Sequence, residues 1–453
     1  MEALGVVAQP RNRFEFDGLK SYSRAEVDLI NWFCRAFRRP LSSVGWRKDA
    51  FAPWLDRHQG TALRLTLTNG VEPRETRTYR FANQEIRIGR SDDNEIVLGN
   101  WARKFHVSGR NAFGLIASVG EDCAGAVQFV RPERLDAIRG AADSSVEWLD
   151  EPEIAKRLRA LRADQAAWRA PGDTGQFSLA GAQPKTALLF ENGKWGVPSG
   201  RVPTTHILKP PSGEFDGHAE NEHFCLELAR ALGLPVVDSR IMHFKDEVAI
   251  VIERYDRVRV SGTLRRVHQE DMCQAMGIAP TRKYENEGGP GIRDIVGLLT
   301  AHSAKPKEDV TTFLDSVAYN WLIGGTDAHA KNYALLIGAG GRVRLAPLYD
   351  LASVLPYEGI NIERAKVSMK IGGEYRMRNI RPYHWRKLAT DLKIDPDAMQ
   401  HRVSDLAAQL RDQASAVKSQ LAKEGLVHPL VERLAVALTK RSTSSRRRWI
   451  QRK

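Results

Sequence analysis

Cysteine is scarce in this chain: Cys34, Cys123, Cys225 and Cys273 are the only four in 453 residues, roughly 50 to 100 positions apart. That spacing excludes a zinc ribbon, a finger and a CxxC redox pair, and it suits a reducing compartment. No run of about 18 apolar residues occurs, so no membrane-spanning helix is expected. The opening MEALGVVAQPRNRFEF lacks the apolar core of a signal peptide, which makes a cytoplasmic location and no membrane partner the expectation. Internal repeats and low-complexity segments are absent as well. What is present is ordinary for a globular protein, 42% apolar and 27% charged residues. At ~150 residues per domain the length predicts about three domains or one large bilobal unit. A core of that size needs no disulfide or metal staple.

Acidic residues are outnumbered, 55 against 68 basic, for a net charge of +13. Six of the basic residues lie in the last thirteen positions, RSTSSRRRWIQRK, which reads as a basic tail over 441–453. Such a tail either binds phosphates by releasing counterions or simply solvates a terminus. Charge by itself identifies no partner.

Along the chain, Arg24 to Phe37 has helical periodicity, and Thr61 to Thr68 alternates as a half-buried strand ending at Asn69-Gly70. Residues 147–170 read as a helix stopped by Pro171-Gly172, the best domain boundary. Short strands follow. Thr186 to Glu191, the turn Asn192-Gly193 and Trp195 to Val197 predict a hairpin, with further strands at Thr204 to Lys209 and Val248 to Glu253. Asn221 to Leu232 reads as a helix closed by Gly233. From Asp309 onward helices dominate, led by an amphipathic stretch over 310–322. A strand-rich lobe before a helical lobe suggests a kinase-like body.

Directly after that helix stands GGTDAHAKNYALLIGAGGRVRLAPLYDLAS. Asp327 precedes Asn332 by five positions, a strand–turn–strand follows, and Asp350 comes next. Phosphoryl transfer from ATP needs a carboxylate for the hydroxyl proton, an amide oxygen for metal and a second carboxylate for metal. The kinase catalytic loop spaces its Asp and Asn by the same five residues. Taken singly, Asp-x5-Asn is also what a surface turn contains. Upstream, Ser178 to Lys185 (SLAGAQPK) is a small-residue loop whose N–H groups could approach phosphates. It is neither a Walker A loop nor the GxGxxG of ordinary kinases, and a plain turn is the competing reading. Lys209 ends its strand with Pro210-Pro211 behind it, suiting a rigid ammonium on phosphates or one pointing to water. Glu222 and Glu220 are equal candidates to pair with it.

Together SLAGAQPKTALL, TTHILKP, ENEHFCLELARALGLPV, IERYDR, HQEDMCQAMG, KYENEGGPGI, LIGGTDAHAKNYALLI and LAPLYDLAS resemble the HipA family of serine/threonine kinases, in order and spacing from about residue 94 to 400. The resemblance implies an α+β, bilobal protein-kinase-like fold: a strand-rich N-terminal lobe with an added N-terminal subdomain, and a mainly α-helical C-terminal lobe. The expected domains are an N-terminal subdomain at 1–135, a helical connector at 136–172, a nucleotide-binding lobe at 173–260, a catalytic lobe at 261–440 and the tail. It implies ATP and Mg²⁺ as cofactors, Asp327 as catalytic base, and Asn332 and Asp350 as metal ligands. Nucleotide contacts would come from Ala180, Gly181, Ala182, Gln183, Pro184 and Lys185 in the loop, and from Lys209. They would come also from Glu253, Arg254 and Tyr255 in the hinge, His329, Ala330, Lys331 and Asn332 in the catalytic loop, and Tyr349 and Asp350. His329 is either a metal-binding or a structural loop histidine. Ser178 would be autophosphorylated, expelling the phosphate-facing loop.

HipA-like proteins are toxins of toxin–antitoxin modules. The resemblance thus implies as partners a HipB-like helix-turn-helix antitoxin, operator DNA through that complex with possible help from the tail, and an aminoacyl-tRNA synthetase as protein substrate. Residues 1–90 depart from the family pattern. There EIRIGRSDDNEIVL resembles the start of a forkhead-associated phosphothreonine reader, with Gly89-Arg90-Ser91 as its loop, but the later Ser-x-x-His is replaced by a stretch from Ser108 to Asn111. A divergent N-terminus is the expectation. The rival functions are a small-molecule or lipid kinase and a catalytically idle co-repressor binding antitoxin and DNA.

Overall fold

In the computed structural model the described residues are 5–8, 62–68, 73–80, 122–130, 145–164, 177–178, 183–211 and 217–450. The predicted helix at 24–37, the stretch 85–98 and the loop positions Ala180, Gly181 and Ala182 lie outside them. The chain is α+β and clusters into two compact units. The first comprises Met1–Ile207, Asp256–Gln269 and Gly338–Gly341; the second comprises Leu208–Tyr255, Glu270–Ile337 and Arg342–Lys453. These are not the expected lobes at 173–260 and 261–440. Lys209 and the whole segment through Tyr255 cluster with the catalytic loop, because their helix and strands bury apolar side chains in the same core.

In the first unit the predicted strand is present as Ala62–Thr68, antiparallel to Pro73–Arg80. The predicted helix 147–170 is in fact a strand and a shorter helix: β1, Val146–Leu149, then α1, Glu151–Ala163. The reason is local. Asp150 and Glu153 form a capping box, each side chain accepting from the other's backbone N–H, which starts the helix there. β1 pairs antiparallel with β3 (Lys194–Pro198), which pairs in turn with β2 (Thr186–Glu191). The turn between β2 and β3 is Asn192-Gly193, with φ of 51° and 76°, the left-handed pair that two-residue hairpins demand. β4, His206–Lys209, is the strand within which the two units divide.

A buried ionic cluster holds this unit. Asp122 accepts from the backbone and hydroxyl of Thr204, at 3.0 and 2.6 Å, and from the guanidinium groups of Arg257 and Arg266, at 2.8 and 3.1 Å. Arg257 also pairs with Asp256 at 3.0 Å and donates to the Gly125 carbonyl. Gly125 has a φ of 82°, and a Cβ there would lie 2.8 Å from the Gln269 nitrogen, so only glycine fits.

The second unit starts with α2, His218–Ala231, and the antiparallel pair β5 (Ser239–Phe244) and β6 (Glu247–Glu253). The short α3, Met272–Met276, precedes α4, Ile292–His302, and α5, Pro306–Ile323. The hairpin β7 (Ala334–Ile337) and β8 (Val343–Leu345) follows, then α6 (Pro382–Asp391), α7 (Pro396–Lys423) and α8 (Pro429–Ile450). Residues 441–450, read as tail, are the last turns of α8. The core of this unit includes Phe224, Phe313, Tyr319 and Trp385, all fully buried. Each such side chain contributes about 1.5–3 kcal/mol by leaving water.

Candidate active site

The second unit alone brings the principal candidate residues together. α5 begins with Pro306 in its first turn and ends at Gly324, φ 73°. A Cβ on the next residue, Gly325, would lie 2.5 Å from the Asn320 side-chain oxygen. The double glycine thus turns the chain sharply out of the helix and delivers Thr326 and Asp327. The loop is then stitched internally: the His329 N–H donates to the Asp327 carbonyl at 2.8 Å, and the Asn332 N–H to the His329 carbonyl at 2.9 Å.

Lys209 is buried, and its ammonium donates to both oxygens of Glu222, at 2.8 and 3.1 Å, and to Asp350. Between the two candidates on α2, the structure therefore selects Glu222 over Glu220. Burial opposes the charge on Lys209, but Asp350 and Glu222 more than offset that penalty and raise its pKa above the ordinary lysine value. His218, at the start of α2, is pushed down to about 4, by burial first and by the Lys209 charge second. Asp350 has φ 53°, a left-handed conformation costing an ordinary residue about 1 kcal/mol or more.

Asp327 is exposed and accepts from the Tyr284 hydroxyl at 2.7 Å. The Tyr349 hydroxyl donates to the Lys331 carbonyl at 2.8 Å, which ties the residue before Asn332 to the residue before Asp350. The Asn332 side-chain oxygen is buried and has no hydrogen-bond partner among the described residues. A buried acceptor without a donor is costly unless something positive belongs there. Among the described residues no group of three or more His, Cys, Asp or Glu could hold a metal ion. An amide oxygen and a carboxylate nevertheless fit Mg²⁺, which takes few protein ligands and fills its shell with water and phosphate oxygens.

Other expected contacts have visible employment. Lys331 donates to Asp271 at 2.6 Å, and Asp271 caps α3, so the ammonium fastens the catalytic loop to that helix. Tyr255 stacks on Tyr349 with ring centroids 5.7 Å apart. Arg254 is buried, and the Glu253 N–H donates to the Asp238 carbonyl at 2.9 Å. His329 is buried, and its Nδ1 has no hydrogen-bond partner among the described residues. Burial foremost holds its pKa below the ordinary value, with Asp327 opposing. In the first unit, Gln183, Pro184 and Lys185 lead into β2, and the backbone of Ser178 pairs in parallel with Cys123.

The sequence reading missed Tyr284 and Asp271 as parts of the site. Both stand inside quoted motifs, KYENEGGPGI and HQEDMCQAMG, but nothing in either motif says that it folds back onto the 327–332 loop.

Known proteins resemble this chain in sequence and in fold. The family model for the HipA-like C-terminal domain matches residues 177–414, and that for the HipA N-terminal domain matches 52–130. The second match corrects the expectation that all of 1–90 departs from the family: 52–90 lies inside it, and so does the stretch 85–98 compared with a phosphothreonine reader. The chain is 35% identical over 359 residues to the Y4mE protein of Sinorhizobium fredii, named as a kinase, covering 78% of this chain and 82% of that one. It is 31% identical over 291 residues to the serine/threonine-protein kinase toxin HipA of Shewanella oneidensis, covering 61% and 64%. A solved Shewanella oneidensis complex of HipA, HipB and operator DNA shares the fold, with a TM-score of 0.65 at 24% identity over 79% of this chain and 86% of that one. Among the described residues no helix is long and apolar enough to cross a membrane.

Proposed function

Because the chain belongs to the HipA family of kinases, we propose that it is an ATP-dependent serine/threonine protein kinase acting as the toxin of a toxin–antitoxin pair. The observation that carries the reading is Lys209, a buried ammonium held between Glu222 and Asp350. A buried lysine with two carboxylate partners is a poised phosphate clamp, and an idle co-repressor would have no use for it.

In this reading Asp327 takes the proton of the attacking hydroxyl, and Asn332 and Asp350 would hold Mg²⁺. When bound, the metal neutralises charge on the β- and γ-phosphates. Lys209 orients the nucleotide phosphates, with Ala180 to Lys185 adding backbone N–H groups. Glu253, Arg254 and Tyr255 serve the adenine, and His329, Ala330 and Tyr349 line the nucleotide. The protein substrate is a translation component of the aminoacyl-tRNA synthetase class. The neutralising partner is a HipB-like helix-turn-helix protein that brings the complex to operator DNA. Ser178 is the autophosphorylation site, where a phosphate of about −1.5 to −2 charges would repel the nucleotide's own.

The test is incubation with Mg·ATP labelled at the γ-phosphate, followed by mass spectrometry. Phosphate on Ser178, absent in an Asp327→Asn protein, is the expected result. No ATP-dependent phosphate on the chain or on any protein acceptor overturns the kinase reading.

A further inference from the structure

A general base needs its carboxylate aimed as well as present. Asp327 lies on an exposed loop, where a free carboxylate would rotate among several orientations. One of its oxygens is not free: it accepts the Tyr284 hydroxyl hydrogen at 2.7 Å, across 43 positions of sequence.

Tyr284 is itself held on several sides. Its ring meets His329 edge-on, with centroids 5.1 Å apart and planes at 71°, and the Lys283 ammonium lies 5.0 Å from the ring centroid. The Lys283 carbonyl accepts the Ala330 N–H at 3.2 Å, so adjacent residues grip the loop by backbone and by side chain. Behind the ring the chain makes a tight turn in which the Tyr284 carbonyl accepts from Gly289 at 2.9 Å and from Glu287 at 3.1 Å. A Cβ at Gly289 would stand 2.1 Å from the Arg282 carbonyl oxygen, so the turn admits only glycine. Glu285, the next residue, accepts from the Lys370 backbone at 2.6 Å. The segment 282–289 is a rigid bracket whose polar tip ends on Asp327.

We propose that Tyr284 is a positioning residue for phosphoryl transfer: its hydroxyl fixes one oxygen of Asp327 so that the other faces the substrate hydroxyl. This rests on the reading of Asp327 as base. Tyr284 keeps its own proton throughout. The substrate proton passes to the second oxygen of Asp327 as the new O–P bond forms and the bond to the departing ADP breaks. A neutral phenol suits the task, because a cation in its place would form a stronger, charge-assisted bond and compete for the carboxylate.

Tyr284→Phe removes the hydroxyl and keeps the ring against His329. The experiment compares wild type, Tyr284→Phe, Asp327→Asn and the double variant, measuring phosphate incorporation from Mg·ATP into the chain and into casein, together with ATP binding. Misplacing a reacting group by a fraction of its proper geometry costs up to about a hundredfold. We expect kcat of Tyr284→Phe to fall by roughly tenfold to a hundredfold, with the KM and Kd for ATP within about twofold of wild type. In the Asp327→Asn background the same change should cost nothing further, since no base remains to be aimed. A Tyr284→Phe rate within twofold of wild type beside an inactive Asp327→Asn protein would overturn the positioning role. So would an equal loss in both backgrounds, or weakened ATP binding in Tyr284→Phe. An active Asp327→Asn protein would instead sink the base assignment itself.

Discussion

Lys209 and Glu222 are both buried and paired, so removing the Lys209 charge takes the ammonium away from a carboxylate in a medium that solvates charge poorly. Lys209→Met should therefore cost about 3 kcal/mol of stability, measurable by urea unfolding, and abolish phosphoryl transfer. Adding Glu222→Gln to that variant should restore much of the stability and none of the transfer, which separates packing from chemistry. At Asp327 the expectation is the reverse. The carboxylate is exposed, so Asp327→Asn should leave the unfolding midpoint near wild type and lower transfer by about 10²-fold or more. At Asp350, Ala should weaken ATP binding when Mg²⁺ is present more than when it is absent, because a metal ligand matters only with the metal there. Equal losses in paired titrations would make Asp350 structural. At this scale Asp327, Asn332, Asp350 and Lys209 were readable in the sequence as candidates, because motif spacing names residue types directly. The choice of Glu222 over Glu220 was not, since two positions two residues apart near the start of one helix differ only in what they face.

Among the elements, α5 is the clearest case of legibility. Its apolar residues recur with helical period from Val310 to Leu322, and the observed helix spans Pro306–Ile323. The turn at Asn192-Gly193 was equally plain, because a two-residue hairpin turn needs that chemistry. Residues 147–170 misled, because a short apolar stretch ahead of a helix carries no strong period of its own. The end of α8 misled for a different reason. Arg441 was read as the start of a basic tail, but its guanidinium donates to the Leu322 and Trp321 carbonyls, at 3.0 and 2.9 Å, and lies 5.8 Å from the Trp321 ring centroid. It caps the C-terminus of α5, whose end carries the catalytic loop. Arg441→Ala should destabilise the protein by about 1–3 kcal/mol through two carbonyls left without their charged donor. A thermal unfolding curve unchanged from wild type would return Arg441 to the solvent.

For the whole molecule, two histidines withdrawn from solvent, His223 buried and His218 half-buried, set a pH limit. His218 and His223 are both pushed down to about 4, by burial first. In the unfolded chain they bind protons near pH 6.5, and in the folded protein only near pH 4, so between these values the unfolded state holds more protons. Their contribution is fully present above about pH 6.5 and is lost as the pH falls toward 4, at most about 3 kcal/mol for each. The urea midpoint should drop clearly between pH 7 and pH 5 and drop less in a His223→Gln protein. A midpoint flat across that range would show that neither histidine is neutral and buried in the folded state.

By itself the sequence determined the class of protein, the family and the candidate residues for the chemistry. Those properties reside in composition, local period and the spacing of motifs, all of which are written along one dimension. Only the tertiary structure decided that Tyr284 reaches Asp327 across 43 positions, that Lys331 serves α3, and that Arg441 serves α5. Long-range pairings between polar groups leave no period in the chain. They arise where packing of the apolar core brings distant backbone together, and the core is indifferent to which polar tips then meet.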